Sequence, residues 1–158
     1  MFRVWVFFLL RRIPSVDWSA QGTTRMKLSI TTFLMFDGKA EEAINFYISL
    51  FPDSGILSID RYASGEGAPE GSVKTARVKL AGQTLQFFNS PMKHGFTFTP
   101  AISLFVECDS EADIERLFNN LSQDGQVLMP LNAYPFSTKF GWCNDRFGVS
   151  WQLNFIRS

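Results

Sequence analysis

Ser150, Gln152 and Asn154 alternate with Trp151, Leu153 and Phe155 near the end of the chain, directly after the polar turn Asp145-Arg146-Phe147-Gly148. A period of two puts the polar side chains on one face of a strand and the apolar ones on the other. That is the pattern of a sheet wall lining a cavity, with Gln152 at the middle of the wet face. A carboxylate there would suit a cation or proton transfer, whereas a neutral amide orients a ligand through hydrogen bonds. Other reactive types are few. Cys108 and Cys143 are expected to be reduced thiols near strand ends, since a nucleophilic cysteine needs a histidine or another cation beside it. The single histidine, His94, sits in Pro91-Met92-Lys93-His94-Gly95, which reads as an exposed loop. Glu107, Asp109 and Asp145 are the carboxylates nearest strand ends. Asp109 reads as part of a helix start, Asp145 as a turn former and Glu107 as a solvated rim position, so no matched acid and base pair emerges.

The elements that must position these residues follow from periodicity. Leu28 to Phe36 is a strand ending at Asp37-Gly38. Ala40, Ala43, Phe46, Tyr47, Leu50 and Phe51 fall on one helical face, with Glu41 and Glu42 where the helix dipole favours acids. Pro52 to Gly55 ends that helix. Strands follow at Ile56 to Tyr62, Val73 to Leu80 and Thr84 to Asn89, the last two joined by the hairpin Ala81-Gly82-Gln83. A second pass has a strand at Ile102 to Glu107 and a helix opened by Asp109-Ser110, with Ser110 and Asp113 at capping-box spacing. Ile114, Leu117, Phe118 and Leu121 are its buried stripe. Strands at Val127 to Leu131, Phe136 to Cys143 and Val149 to Phe155 complete it.

The order βαβββ therefore occurs twice, and Ala43, Phe46, Tyr47 and Leu50 match Ile114, Leu117, Phe118 and Leu121 at an offset of 71. An internal structural repeat is the better reading. One helix covers one face of each four-stranded sheet, and two such units can close their open faces around a cleft. The glycine-rich Gly65 to Gly71 stretch lies between antiparallel strands without a following Gly-Lys-Ser/Thr. It reads as a hairpin loop and not as a phosphate or S-adenosylmethionine cradle.

Hydrophobic residues make up 46% and aromatics 15% of the 158 residues, which bounds the chain to one globular domain with a sizeable core. A formal net charge of zero gives no field to attract nucleic acid or anionic lipid, so neither is an expected partner. Residues 1–26 do not share the regular pattern. They read as an N-terminal extension, disordered or from a start called too early with Met26 as the first residue; a targeting segment and an added structural element are the alternatives. Val4 to Leu10 is far short of the ~20 apolar residues that span a bilayer.

Phe36 to Tyr47, Ala101 to Leu104, Gly141-Trp142 and Asp145 to Leu153 together resemble the PhnB-like, or 3-demethylubiquinone-9 3-methyltransferase-like, branch of the glyoxalase/bleomycin resistance/dioxygenase (vicinal oxygen chelate) superfamily. The resemblance runs from about Lys27 to Phe155. It implies an α+β fold of two βαβββ modules, about 27–90 and about 100–156 within a domain at 27–156, forming curled mixed sheets around a cleft, and commonly a homodimer. The metal-using enzymes of the superfamily place one ligand on each of four strands. Carried over position by position, these fall on Thr32, on Leu85 or Gln86, on Ala101 and on Gln152. Hydroxyl and amide oxygens are weak neutral ligands and alanine offers none, so no metal and no other cofactor is expected.

These readings converge on metal-free binding of a small molecule by Thr32, Gln86, Trp142, Ser150 and Gln152, within a frame of Phe87 or Phe88, Phe136 and Phe140, in a cytoplasmic homodimer. The alternatives are an enzyme of unknown reaction on the same cleft and a dimeric interaction module whose cleft is vestigial.

Overall fold

A computed structural model describes residues 28–157. Contacts divide the chain into Met1–Ile30 and Thr31–Ser158, and all ten elements belong to the second unit. The expectations for residues 1–26 lie outside the described residues.

The element order is β1 (Thr32–Asp37), α1 (Ala40–Leu50), β2 (Gly55–Arg61), β3 (Val73–Leu80), β4 (Gln83–Ser90), β5 (Leu104–Glu107), α2 (Glu111–Ser122), β6 (Gln126–Tyr134), β7 (Ser137–Asn144) and β8 (Ser150–Phe155). Two four-stranded sheets result, ordered β1-β4-β3-β2 and β5-β8-β7-β6, and the repeat is therefore real at the level of topology. Each sheet is mixed: β1 runs parallel to β4 and β5 to β8, while the remaining pairs are antiparallel. The fold is the expected α+β arrangement of two βαβββ modules.

Three strand boundaries differ from expectation by two residues or more, for local reasons. β1 starts at Thr32, where its pairing to Leu85 of β4 begins, and not at Leu28. β5 starts at Leu104, because residues up to Ile102 are spent on a turn closed by Ile102 N–H donating to Thr99 O at 3.4 Å. β6 runs on through Pro130 to Tyr134; as the outer strand of its sheet it tolerates the missing N–H. The β3–β4 hairpin turns on Ala81 (φ 44°) and Gly82 (φ 88°), the doubly positive geometry that matches strand twist.

Helix α2 is opened by Ser110, whose Oγ accepts from Asp113 N–H at 3.1 Å and donates to the Asp113 carboxylate at 2.6 Å. Its buried stripe is Ile114, Leu117, Phe118 and Leu121, as the periodicity requires. It lies so close to β7 that a Cβ on Gly141 would meet the Phe118 ring at 2.5 Å. Helix α1 buries Ala40, Ala43, Ile44, Tyr47 and Leu50, a wider stripe, because it packs against both modules. Tyr47 packs at a tilt against Trp151 of β8 at 5.2 Å, Phe51 stacks on it at 5.4 Å, and Arg116 of α2 donates to Leu50 O at 3.0 Å. The modules thus meet through α1 and the helix-covered side of the second sheet. Among the described residues no helix is long and apolar enough to cross a membrane.

Candidate functional site

Strand β8 is aimed by the turn that precedes it. Asp145 is only 3% exposed, and its carboxylate accepts four hydrogen bonds. Phe147 and Val149 N–H reach Oδ1 at 2.9 and 3.0 Å, and the Tyr47 hydroxyl and Trp151 indole reach Oδ2 at 2.6 and 2.8 Å. Gly148, at φ 88°, lets the chain double back so that Asp145 N–H donates to Val149 O at 2.9 Å. Asp145 is therefore a turn former, as the sequence suggests, and also the buried post that ties α1 to β8. Burial pushes its carboxyl above the usual value, against the pull of the four donors. Burial and the neighbouring carboxylate push the Tyr47 phenol far above its own. Enclosed in this way and bonded at both oxygens, Asp145 holds the strand and presents no free oxygen to a ligand.

The strand so placed alternates as its sequence dictates. Trp151 and Leu153 are buried toward the helix side, in register with Cys143 and Gly141. Gln152 pairs with Trp142, Ser150 with Asn144 and Asn154 with Phe140, so these share the open face. Phe105 of β5 joins them as the partner of Gln152. On this face the indole N–H of Trp142 donates to Ser150 Oγ at 2.9 Å, Ser150 and Ser103 share a hydrogen bond of 2.7 Å, and Gln152 Nε2 donates to Ser103 Oγ at 3.2 Å. An open cavity of about 500 Å³ lies over it, walled by Phe105, Met129, Phe136, Phe140, Trp142, Gln152 and Asn154. Phe136 and Phe140 meet edge to face at 5.2 Å, and Tyr134 stacks on Phe136 at 5.6 Å. The result is a neutral polar row whose indole and amide line the aromatic-framed cavity, linked by the Ser150 and Ser103 hydroxyls, which do not line it.

Of the five residues expected to bind a ligand, Trp142, Ser150 and Gln152 come together on this face. Thr32 and Gln86 do not join them there. Thr32 pairs with Leu85 and shares the side of Leu34 and Phe36, whereas Gln86 pairs with Phe33 on the opposite side of the first sheet. A one-residue step reverses the face, and it is this step that separates the two. Thr32 instead borders, with Ser150, a cavity of about 490 Å³ along the free edges of β1 and β5. Ser103 is the member of the polar row that sequence reasoning left out of its binding set; its parity with Phe105 and Glu107 was the available signal. Glu107 is exposed at the sheet edge, as a rim residue would be.

The same register tests the metal-ligand positions. Leu85 is buried beneath helix α1, Gln86 faces away from Thr32, and Ala101 carries no donor. Among the described residues no group of three or more His, Cys, Asp or Glu side chains is placed to hold a metal ion. The donor set does not fit a divalent transition metal. The cysteines are also unsuited to chemistry. Burial pushes the Cys108 thiol up to about 11 and the Cys143 thiol up to about 12. Both stay protonated below those values, so alkylation of the native protein at pH 8 is expected to be slower than that of an unfolded cysteine by roughly 100-fold or more. Iodoacetamide labelling with and without denaturant checks this; equal rates in the two conditions contradict it.

Comparison with known proteins agrees with this fold. A family model for 3-demethylubiquinone-9 3-methyltransferase matches residues 28–154. The solved structure of a PhnB protein from Bacillus cereus is 55% identical, covers 81% of this chain and 99% of its own, and has a TM-score of 0.78. Protein YjdN of Escherichia coli (strain K12) is 24% identical over 143 residues, 82% of this chain and 97% of its own. A glyoxylase/bleomycin resistance protein/dioxygenase domain from Frankia sp. EAN1pec shares the fold at 14% identity, with a TM-score of 0.54 over 83% of this chain and 93% of its own.

Proposed function

Because the chain belongs to the PhnB-like 3-demethylubiquinone-9 3-methyltransferase family of the glyoxalase/bleomycin resistance superfamily, we propose that it works on that fold as a metal-free small-molecule binder. The observation that carries this reading is the row Trp142–Ser150–Ser103–Gln152 within its aromatic frame. Every group in it is neutral, so it suits a planar, partly apolar ligand with a few polar atoms and offers neither nucleophile nor proton shuttle. Gln152 is the central contact. Among the described residues its Oε1 accepts no hydrogen bond, which leaves that oxygen for a ligand donor.

A homodimer is part of the proposal. The cavity over the second sheet is walled by that sheet alone, and Phe105 and Phe136 are 56% and 61% exposed there. Phe33 is 56% exposed on the open side of the first sheet. Apolar surface on both open faces favours closure by a second copy, which would bring Gln86 of one chain toward Gln152 of the other. Two unpaired, buried-side thiols suit a cytoplasmic setting, and neither nucleic acid nor membrane belongs to this reading.

Thermal-shift screening against a metabolite and antibiotic panel in EDTA tests the function. At least one compound is expected to raise the melting temperature, because a ligand of the folded state stabilises it by mass action. Gln152→Ala is expected to weaken that compound at least about tenfold through loss of a ligand hydrogen bond, and Ser103→Ala by less, because Ser103 holds the Gln152 amide and does not line the cavity. Turnover of the bound compound would favour the enzyme reading, and a panel without hits would favour a vestigial cleft.

A further inference from the structure

We propose a second site, distinct from the face that carries Gln152, which takes a small anion borne on an aromatic body, in chemical class an aromatic carboxylate. It is a cavity of about 440 Å³ between β1 and the inter-module segment, bordered by the cations Lys39 and Arg146 and by His94. Its apolar walls include Phe33, Phe96 and Phe98.

Three independent features give it a ligand preference. First, its cations are uncommitted. Arg61, Lys74, Lys79, Arg116, Lys139 and Arg157 are all in ion pairs, whereas Lys39 and Arg146, like Arg77 and Lys93 elsewhere, have none among the described residues. Second, Arg146 is presented and incompletely satisfied. Its guanidinium lies 4.3 Å over the Phe46 ring, and its Nε is buried without a hydrogen-bond partner. A planar fork held against a ring is pre-organised for a carboxylate and loses little freedom on binding one. Third, Lys39 is the N-cap of α1 and gives that helix end no side-chain hydrogen bond, so the positive end of an eleven-residue helix adds to the two cations.

The remaining groups refine the ligand. Asp37 also borders the cavity and opposes a dianion, which favours a single carboxylate. Glu41 and Glu42 lie in the first turn of α1, but Glu41 is held by Arg61 at 2.8 Å. His94 contributes through a fixed ring. Ser90 Oγ lies 2.8 Å from both Met92 O and His94 Nε2 and accepts from Met92 N–H at 3.2 Å, so the ring is tied to the end of β4. The ring forms a wall of the cavity, tilted against Phe96 at 5.0 Å. Phe98 closes the inner end against Phe36 at 5.1 Å. Aromatic walls bordered by two cations suit an aromatic monocarboxylate.

Titration of the intact protein with 2-naphthoate, followed by calorimetry, tests the assignment. Saturable binding is expected, with 2-naphthamide weaker by at least about tenfold because it lacks the charge-assisted bonds. Arg146→Gln is expected to cost a similar factor, and Lys39→Gln, at an exposed position that leaves packing intact, about fivefold. Gln152→Ala should leave 2-naphthoate affinity unchanged. The proposal is overturned by absence of saturation, by equal affinity for the amide, or by insensitivity to Lys39→Gln. Loss of binding in Gln152→Ala would also overturn it and would assign the ligand to the second sheet's open face instead.

Discussion

Asp145→Ala is expected to destabilise the protein by about 4 kcal/mol, a large share of the 5–15 kcal/mol typical of a domain. The carboxylate satisfies two backbone N–H groups of its own turn and two side chains from different modules. Alanine strands all four donors in a site that is 3% exposed, and each stranded donor costs of order 1 kcal/mol or more. Asp145→Asn keeps one oxygen acceptor but turns an NH₂ toward groups that are themselves donors, so roughly half of the loss is expected. Tyr47→Phe removes a single donor and should cost about 1 kcal/mol. Urea denaturation of the three variants checks the order Ala, Asn, Phe. Equal stabilities for Asp145→Ala and the parent would show that the turn is held by other contacts.

Gly125→Ala is expected to cost about 3 kcal/mol through overpacking, or at least about 6 °C in melting temperature for a domain of this size. The reason is local. A Cβ on Gly125 would lie 2.2 Å from Asn144 O and 3.0 Å from the Asp145 Cα. Those atoms are backbone at the end of β7, fixed by the β6 pairing of Gln126 to Asn144 and by the turn that Asp145 closes, so they cannot yield as a flexible side chain would. Differential scanning calorimetry reads the shift. Gly38→Ala makes the contrast: no atom lies within 4 Å of its Cβ position, so only the strain of its φ of 80° is added. A melting temperature for Gly125→Ala above that of Gly38→Ala contradicts the packing argument.

The sequence makes the elements legible because their signals are local. The stripe Ile114, Leu117, Phe118 and Leu121, the Ser110 cap and the Ala81-Gly82 turn each follow from neighbours in the chain. The face of β8 is equally plain from its alternation. Tertiary placement is less so. Thr32 and Gln86 can be put on opposite faces only once the pairing of β1 with β4 is known, because a strand's own pattern does not fix its register to a parallel partner. Asp145 reads locally as a turn residue, and its hydrogen bond to Tyr47, 98 positions away, has no local signature. His94 reads as a loop residue and is one, yet the fold brings it beside Lys39 and Arg146, residues that nothing in their own segments connects.

The central claim is that the neutral row on the second sheet binds a small molecule without metal. Its most direct test is an NMR titration in EDTA that follows the Trp142 indole N–H and the Gln152 side-chain amide as the strongest stabiliser from the compound panel is added. Saturable shifts of both signals at one common affinity are expected, with the Trp142 shift lost in Gln152→Ala. Unmoved signals at saturating ligand, or shifts that appear only after a divalent metal is supplied, would contradict it.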